Sequence, residues 1–271
     1  MPTSPDPTLA TLDVLRKEGD ALEGLVRDID GSTWSRPTPA PGWTIAHQIA
    51  HLSWTDEAAS ASLASPRDAG PFSPYALDAR ANPESIPDRT AAEGAASPIP
   101  ELLERWRTSR KQLDEAFRQE AAGTPRKYPW FGPPMGLRSM ATARLMETWA
   151  HGQDVADALG IERPVSGGLR DICHLGVITR DFSYVINDLT APEGEFLVEL
   201  ESPDGGTWSW GPDDGSAIGT VKGPALDFCL FVSQRREVKD LSLVFEGEEP
   251  RRWAEFAQIF AGPPKSVVHN R

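Results

Sequence analysis

The order of apolar and polar positions divides this chain into a long helical part and a shorter mixed part. Leu9, Leu12, Leu15, Leu22, Leu25 and Ile29 recur at helical spacing from about Pro7 to Asp30, and Asp6-Pro7 is a start signal. A Pro-rich turn runs from Pro37 to Pro41. Gly42-Trp43-Thr44 then opens a second helix striped by Ile45, Ile49 and Leu52. Leu102, Leu103, Trp106, Leu113 and Phe117 predict a third helix over about 100–119. A fourth is expected over about 137–159, stopped by Gly160, and a fifth over about 169–187. Residues 65–98 are rich in Ala, Pro, Ser and Asp with little periodicity. They read as a long connection, either a lid over a pocket or a surface loop. The stretch from Tyr128 to Met135 contains Pro129, Pro133 and Pro134 and cannot be helical throughout.

The period changes after Thr190. Phe196 to Leu200 alternates like a strand, Pro203 to Gly206 is a turn, and Thr207 to Trp210 is a second strand. A third strand is expected over 217–221, a helix over 225–232, a strand over 241–245 and a closing helix over 253–260. The tail, 262–271, reads as frayed. The fold class is therefore α+β, with a helical domain over 1–190 and a small α+β domain over 191–271.

Composition narrows the partners. The net charge of −13 and the pI near 4.9 describe an acidic surface that repels phosphate backbones, so no nucleic acid is expected. The hydrophobic fraction of 39% is that of a soluble globular protein. With no signal pattern at the N-terminus and no apolar run near membrane-spanning length, the expectation is a cytoplasmic protein without a membrane partner. Cys173 and Cys229 sit in apolar surroundings and are expected buried and reduced.

Two segments concentrate the chemistry. His47-Gln48-Ile49-Ala50-His51 and Glu147-Thr148-Trp149-Ala150-His151 each place two ligand-type side chains one helical turn apart, on the same face. The chain has five histidines, so three in two such segments is informative. His51, Glu147 and His151 would supply two imidazoles and a carboxylate, leaving open positions on a divalent cation. Zinc suits that set, and iron takes the same ligands. His47 has three readings: a fourth ligand, a general base, or a capping residue near Trp43. Asp154 either orients His151 or faces solvent. Trp54, Trp130, Phe131 and Trp149 are either an aromatic pocket wall or core. Arg235-Arg236 either clamps an anion or is a solvated helix end.

These motifs resemble a known family. Gly42-Trp43-Thr44-Ile45-Ala46-His47-Gln48-Ile49-Ala50-His51-Leu52 resembles the second-helix motif of DinB-like metal-binding bundles. Glu147-Thr148-Trp149-Ala150-His151-Gly152-Gln153-Asp154 is similar to the matching motif of the mycothiol-dependent maleylpyruvate isomerase family, in its actinobacterial metal-binding branch. That branch also carries segments similar to Trp130 to Met135 and to 254–264. Gly223 to Phe228 resembles the family's sterol-carrier-like domain.

The resemblance implies a DinB-type four-helix bundle (up-down-down-up), a sterol-carrier-like α+β domain, and a divalent metal, usually zinc, on His51, Glu147 and His151. It also implies mycothiol, a low-molecular-weight thiol, as cosubstrate. The metal would lower the thiol's pKa, and the thiolate would add to a small electrophile, giving an S-transferase or a cis–trans isomerase. On this reading His47 and Arg235 contact the reacting molecule, and Trp54, Trp130, Asp154 and Arg236 line the thiol's site. Arg235 and Arg236 depart locally from the family's Gly-Arg pattern, and His47 is not a general family ligand. The alternatives are a hydrolase using metal-bound water and a non-enzymatic metal-containing small-molecule binder. A monomer or homodimer is expected.

Overall fold

The structure, a computed structural model, describes residues 6–65, 70–81, 85–260 and 262. Helix α1 (Pro7–Val26) starts where the sequence places it, because the Asp6 carboxylate accepts from the Thr8 N–H at 2.8 Å and caps the first turn. It stops at Val26, before Asp30, and Ile29 packs on the core from the following turn. Helix α2 (Ile45–Leu63) follows Thr44. Helix α5 (Ile99–Ala121) buries Leu102, Leu103, Trp106, Leu113 and Phe117, and α6 (Leu137–Leu159) ends before Gly160. Helices α1, α2, α5 and α6 pack on one another in the first compact unit, Met1–Pro164.

The segment read as a long connection holds two helices, α3 (Ser73–Ala81) and α4 (Ile86–Ala95). Residues 66–69 and 82–84 of it lie outside the described residues. Helix α4 packs along α2 through small side chains: a Cβ on Gly94 would stand 2.7 Å from the Cβ of Ala50. An Ala- and Gly-based contact has little hydropathy signal, which is why periodicity missed it. The aromatic segment between α5 and α6 is a small hairpin, β1 (Lys127–Tyr128) against β2 (Met135–Gly136), in line with its prolines.

The apolar interior of this unit falls into two clusters. One gathers Leu22, Trp34, Ile45, Ile49, Leu52, Trp106 and Val155. The other gathers Leu12, Ala59, Leu63, Phe117, Met140 and Ala141. The start of α2 thus shares a cluster with the end of α6, and the end of α2 with the start of α6. Between them both helices turn buried polar residues inward: His51 and Asp56 from α2, Arg144, Thr148, His151 and Asp154 from α6. Buried polar groups on facing helices need partners, and that requirement shapes the site.

The chain divides at Pro164, so helices α7 (Leu169–Ile178) and α8 (Arg180–Ile186) belong to the second unit, Val165–Arg271, rather than to a helical domain reaching 190. The physical reason is packing: α7 lies against α9 (Ala225–Val232). The expected single helix over 169–187 breaks at Thr179, whose hydroxyl donates to the Leu175 carbonyl at 2.7 Å. The sheet of this unit has the order β4-β3-β5-β6, from β3 (Leu197–Glu201), β4 (Thr207–Trp210), β5 (Thr220–Pro224) and β6 (Val244–Glu246). Strand β3 pairs parallel with β5, and the other pairings are antiparallel. Strand β5 begins three residues later than expected. The closing helix is α10 (Glu248–Trp253), not 253–260. Its acidic first turn and basic last turn suit the helix dipole, and the chain after Trp253 leaves the helix for a turn. Most of the tail lies outside the described residues.

Candidate metal centre

Helices α2 and α6 bring His51, Glu147 and His151 together, each offering one ligand-type atom within 4.8 Å of the others. Glu147 Oε2 stands 3.0 Å from His151 Nε2 and 3.6 Å from His51 Nε2. Tetrahedral coordination at about 2.1 Å separates ligand atoms by about 3.4 Å, and the two distances bracket that value. Both imidazoles are almost wholly buried, with 9% and 8% exposure. Nδ1 of His51 is buried without a hydrogen-bond partner among the described residues, so the polar contact of this ring is made at Nε2, the atom that faces Glu147 and is placed to bind a cation. The residues present therefore fit a divalent cation. Burial pushes the Glu147 carboxyl up, but the hydrogen bonds and charge of His151 and His51 outweigh it and hold the group well below the usual range.

His151 is positioned by Gln48, whose Oε1 lies 2.5 Å from Nδ1. The Asp154 carboxylate, read in the sequence as a residue orienting His151, is 3.9 Å from that nitrogen and flanks it. Gln48 lies inside the first motif, yet sequence reasoning passed over it. A buried glutamine in a helix has no periodic signature, and its partner is distant in the chain.

Trp43 is the other residue the sequence reading undervalued. Its indole stacks on the His151 ring at 5.8 Å and 14°, and lies 5.2 Å from His51. Its Nε1–H donates to Asp88 of α4 at 2.7 Å. The loop from Thr38 to Trp43 turns at Gly42, whose φ of +78° is left-handed and favours glycine. The Thr38 N–H closes the loop on the Trp43 carbonyl at 2.8 Å. A Gly-Trp pair just ahead of a His-bearing helix was the available signal.

His47 takes the capping position among its three readings. Its Nδ1 accepts from the Thr44 N–H at 3.3 Å, with the Thr44 hydroxyl 2.8 Å away. In the neutral ring the proton is then on Nε2, so this side chain offers a donor. Burial lowers its pKa, opposed by the charge of Asp88.

The aromatic wall divides. Trp54 and Trp130 join Phe72, Tyr75 and Phe131 in one cluster: Trp54 stacks on Phe131 at 5.7 Å and Trp130 on Phe72 at 5.8 Å. Trp149 is core, 2% exposed, and its carbonyl accepts from Arg163 at 2.8 Å. One turn from the ligand cluster, Arg144 donates to Asp56 Oδ1 from Nε at 3.1 Å and Nη2 at 2.8 Å, a buried ion pair joining α6 to α2. Arg235 and Arg236 follow α9 in the second unit, half-buried. Arg235 Nη1 donates to the Ser233 carbonyl and Arg236 Nη1 to the Arg235 carbonyl.

Fold and site define a helix-rich α+β protein whose helical unit holds a two-histidine, one-carboxylate cluster fit for a divalent cation. Residues 15–156 match the family model of the mycothiol maleylpyruvate isomerase N-terminal domain. The chain belongs to that family. It is 52% identical over 250 residues to uncharacterized proteins from two strains of Mycobacterium tuberculosis, covering 92% of this chain and 95% of each relative. Two crystal structures share the fold: a histidine-to-alanine mutant of the mycothiol-dependent maleylpyruvate isomerase (TM-score 0.62, 18% identity) and the mycothiol-dependent maleylpyruvate isomerase (TM-score 0.57, 17% identity). Each alignment covers 90% of this chain and 96% of the other. Among the described residues no helix is long and apolar enough to cross a membrane.

Proposed function

We propose that this chain is a cytoplasmic, divalent-metal-dependent enzyme that uses mycothiol to transfer a thiol to, or isomerise, a small electrophilic metabolite. The observation that carries the reading is the convergence of His51, Glu147 and His151 in a member of this family. Helices α1, α2, α5 and α6 are then its DinB-type bundle, and the second unit its sterol-carrier-like domain.

His51, Glu147 and His151 hold the metal, zinc by the donor set. When bound, the metal supplies a positive charge that acidifies a thiol near neutral pH. Trp43 shields the ligand rings on one side. His47, fixed at Nδ1 by Thr44, presents its Nε2–H as a hydrogen-bond donor to the reacting molecule. Trp54 and Trp130 offer flat apolar surface to the thiol, and Asp154, 3.9 Å from His151 Nδ1, borders the ligand cluster that would take it. In the second unit, Arg235 and Arg236 are suited by their charge to an anionic group.

Two measurements test this. Metal analysis of the purified protein is expected to give one zinc per chain, lost in His51→Ala, Glu147→Gln and His151→Ala. Calorimetric titration of the zinc-loaded protein with mycothiol is expected to show saturable binding. A zinc-loaded protein that leaves mycothiol unbound overturns the thiol assignment.

A further inference from the structure

We propose that the helical unit holds a second binding site, separate from the ligand cluster, which takes a small uncharged phenol in a cavity between α1 and α5. The cavity measures about 290 Å³. Leu15 of α1 and Trp106 and Leu113 of α5 give it apolar walls, and the buried Asp56 of α2 and Thr148 of α6 close its inner end. An apolar cavity of about 150 Å³ is enough for benzene, so a substituted six-membered ring has room here.

Asp56 is the residue that asks for an occupant. Both hydrogen bonds its carboxylate accepts, from Nε and Nη2 of Arg144, go to Oδ1. Oδ2 has no hydrogen-bond partner among the described residues, although Asp56 is only 5% exposed and lines the cavity. A buried carboxylate oxygen without a donor is costly, so an N–H or O–H entering the cavity is favoured there. Thr148 does not supply it, because its hydroxyl donates to the Arg144 carbonyl at 2.9 Å.

Charge then selects the kind of donor. An ammonium would meet the guanidinium of Arg144 at the inner end and that of Arg110 in the wall. An anion would be opposed by Asp56 itself. The charges at the mouth are already matched to one another: Arg110 donates to Asp20 at 2.8 Å and to Glu23, and Arg107 to Glu23 at 2.8 Å. What remains is an uncharged O–H on an apolar body. An aromatic body suits the walls, where the Arg110 guanidinium carbon lies 5.1 Å from the centroid of the Trp106 ring. Gly19 leaves the guanidinium its place, since an added Cβ would stand 3.0 Å from Arg110 Nη1. A phenol meets each condition, and its O–H bond to a carboxylate is charge-assisted.

This site does not rest on the proposed metal and thiol reading, and the experiment keeps the two apart. Fluorine-19 NMR follows titration of the full chain with 4-fluorophenol and, separately, with 4-fluoroanisole, which keeps the ring but has no hydrogen to donate. The phenol is expected to bind roughly 10-fold or more tightly than the anisole, the factor a hydrogen bond to a charged group provides. Its affinity is expected to be the same with zinc, without zinc and in His51→Ala. Leu15→Trp fills the cavity from α1 and should abolish binding. Asp56→Asn, with Oδ1 kept on Arg144, turns an NH2 toward the ligand and should cancel the preference for the phenol. Circular dichroism checks that each variant folds; if one does not, the other and the wild-type comparison decide. Wild-type protein that binds no 4-fluorophenol, or binds it no better than 4-fluoroanisole, overturns the proposal. So does binding that survives in folded Leu15→Trp, or that is lost in His51→Ala, which would place the phenol at the ligand cluster.

Discussion

The indole of Trp43 and the imidazole of His151 lie in nearly parallel planes, 14° apart with centroids 5.8 Å from each other. The contact depends on an anchor outside α2, the Trp43 Nε1–H bond to Asp88. Asp88→Ala removes a charge-assisted bond at an exposed acceptor, so a loss of about 1 kcal/mol of stability is expected. Trp43→Phe deletes the same donor. The double variant should cost little more than Trp43→Phe alone. Denaturant unfolding of the four proteins measures the coupling.

The Asp56–Arg144 pair is buried on both sides. Removing one partner strands a charge, and Arg144→Met or Asp56→Ala is expected to cost about 3–5 kcal/mol. Because the pair joins α2 to α6 a turn from the clustered ligands, the same variants should weaken zinc binding. Urea unfolding and chelator competition on the same samples check both effects.

Zinc itself should stabilise the fold. At about 100 times its Kd, a cation binding only the native state adds about 2.7 kcal/mol. The increment is expected to vanish in His51→Ala, a variant that should still fold, since the ring it removes lacks a hydrogen bond at Nδ1. Thermal melts with and without zinc and chelator distinguish loss of metal from loss of fold.

The Glu147 carboxyl titrates below its ordinary value in the folded chain. Its folded pKa is lower than its unfolded one, so its contribution to stability is complete above the unfolded value. That contribution is lost as pH falls through the folded value. The metal-free protein should accordingly lose stability on acidification below the ordinary glutamate range, and Glu147→Gln should flatten that part of the profile. Chemical denaturation across an acidic pH series reads the difference.

Helix α4 rests on α2 with no space for a methyl group at Gly94. Gly94→Ala would normally favour a helix, but here it should destabilise by about 1–3 kcal/mol through overpacking against Ala50. Ala50→Gly on the same chain is expected to recover part of the loss.

How much of this was legible depends on the kind of interaction. Apolar stripes placed α1, α2, α5 and α6 to within a few residues, because long amphipathic helices repeat their signal. The i, i+4 spacing in two segments was enough to single out His51, Glu147 and His151, which the fold brings together. Helices α3 and α4 were hidden because alanine and glycine pack closely without a hydrophobic pattern. Arg144 gave no signal of its own, because its compensation, Asp56, sits on another helix. Gln48, Thr38 and Trp43 were unreadable as a group, since hydrogen bonds between distant positions leave no period in the sequence. The unit boundary was misplaced because α7 has the same amphipathic pattern whichever unit it packs into.

Cys173 on α7 and Cys229 on α9 face each other, Sγ to Sγ at 3.4 Å, both without exposed surface. Burial, with the neighbouring thiol, pushes the Cys229 thiol well above its usual value. These are the only sulfhydryls in the chain, so the native protein is chemically silent toward alkylating reagents and thiol–disulfide exchange. Labelling with a maleimide or iodoacetamide then becomes a clock for the opening of the second unit alone, read by mass as zero, one or two adducts, with no engineered probe.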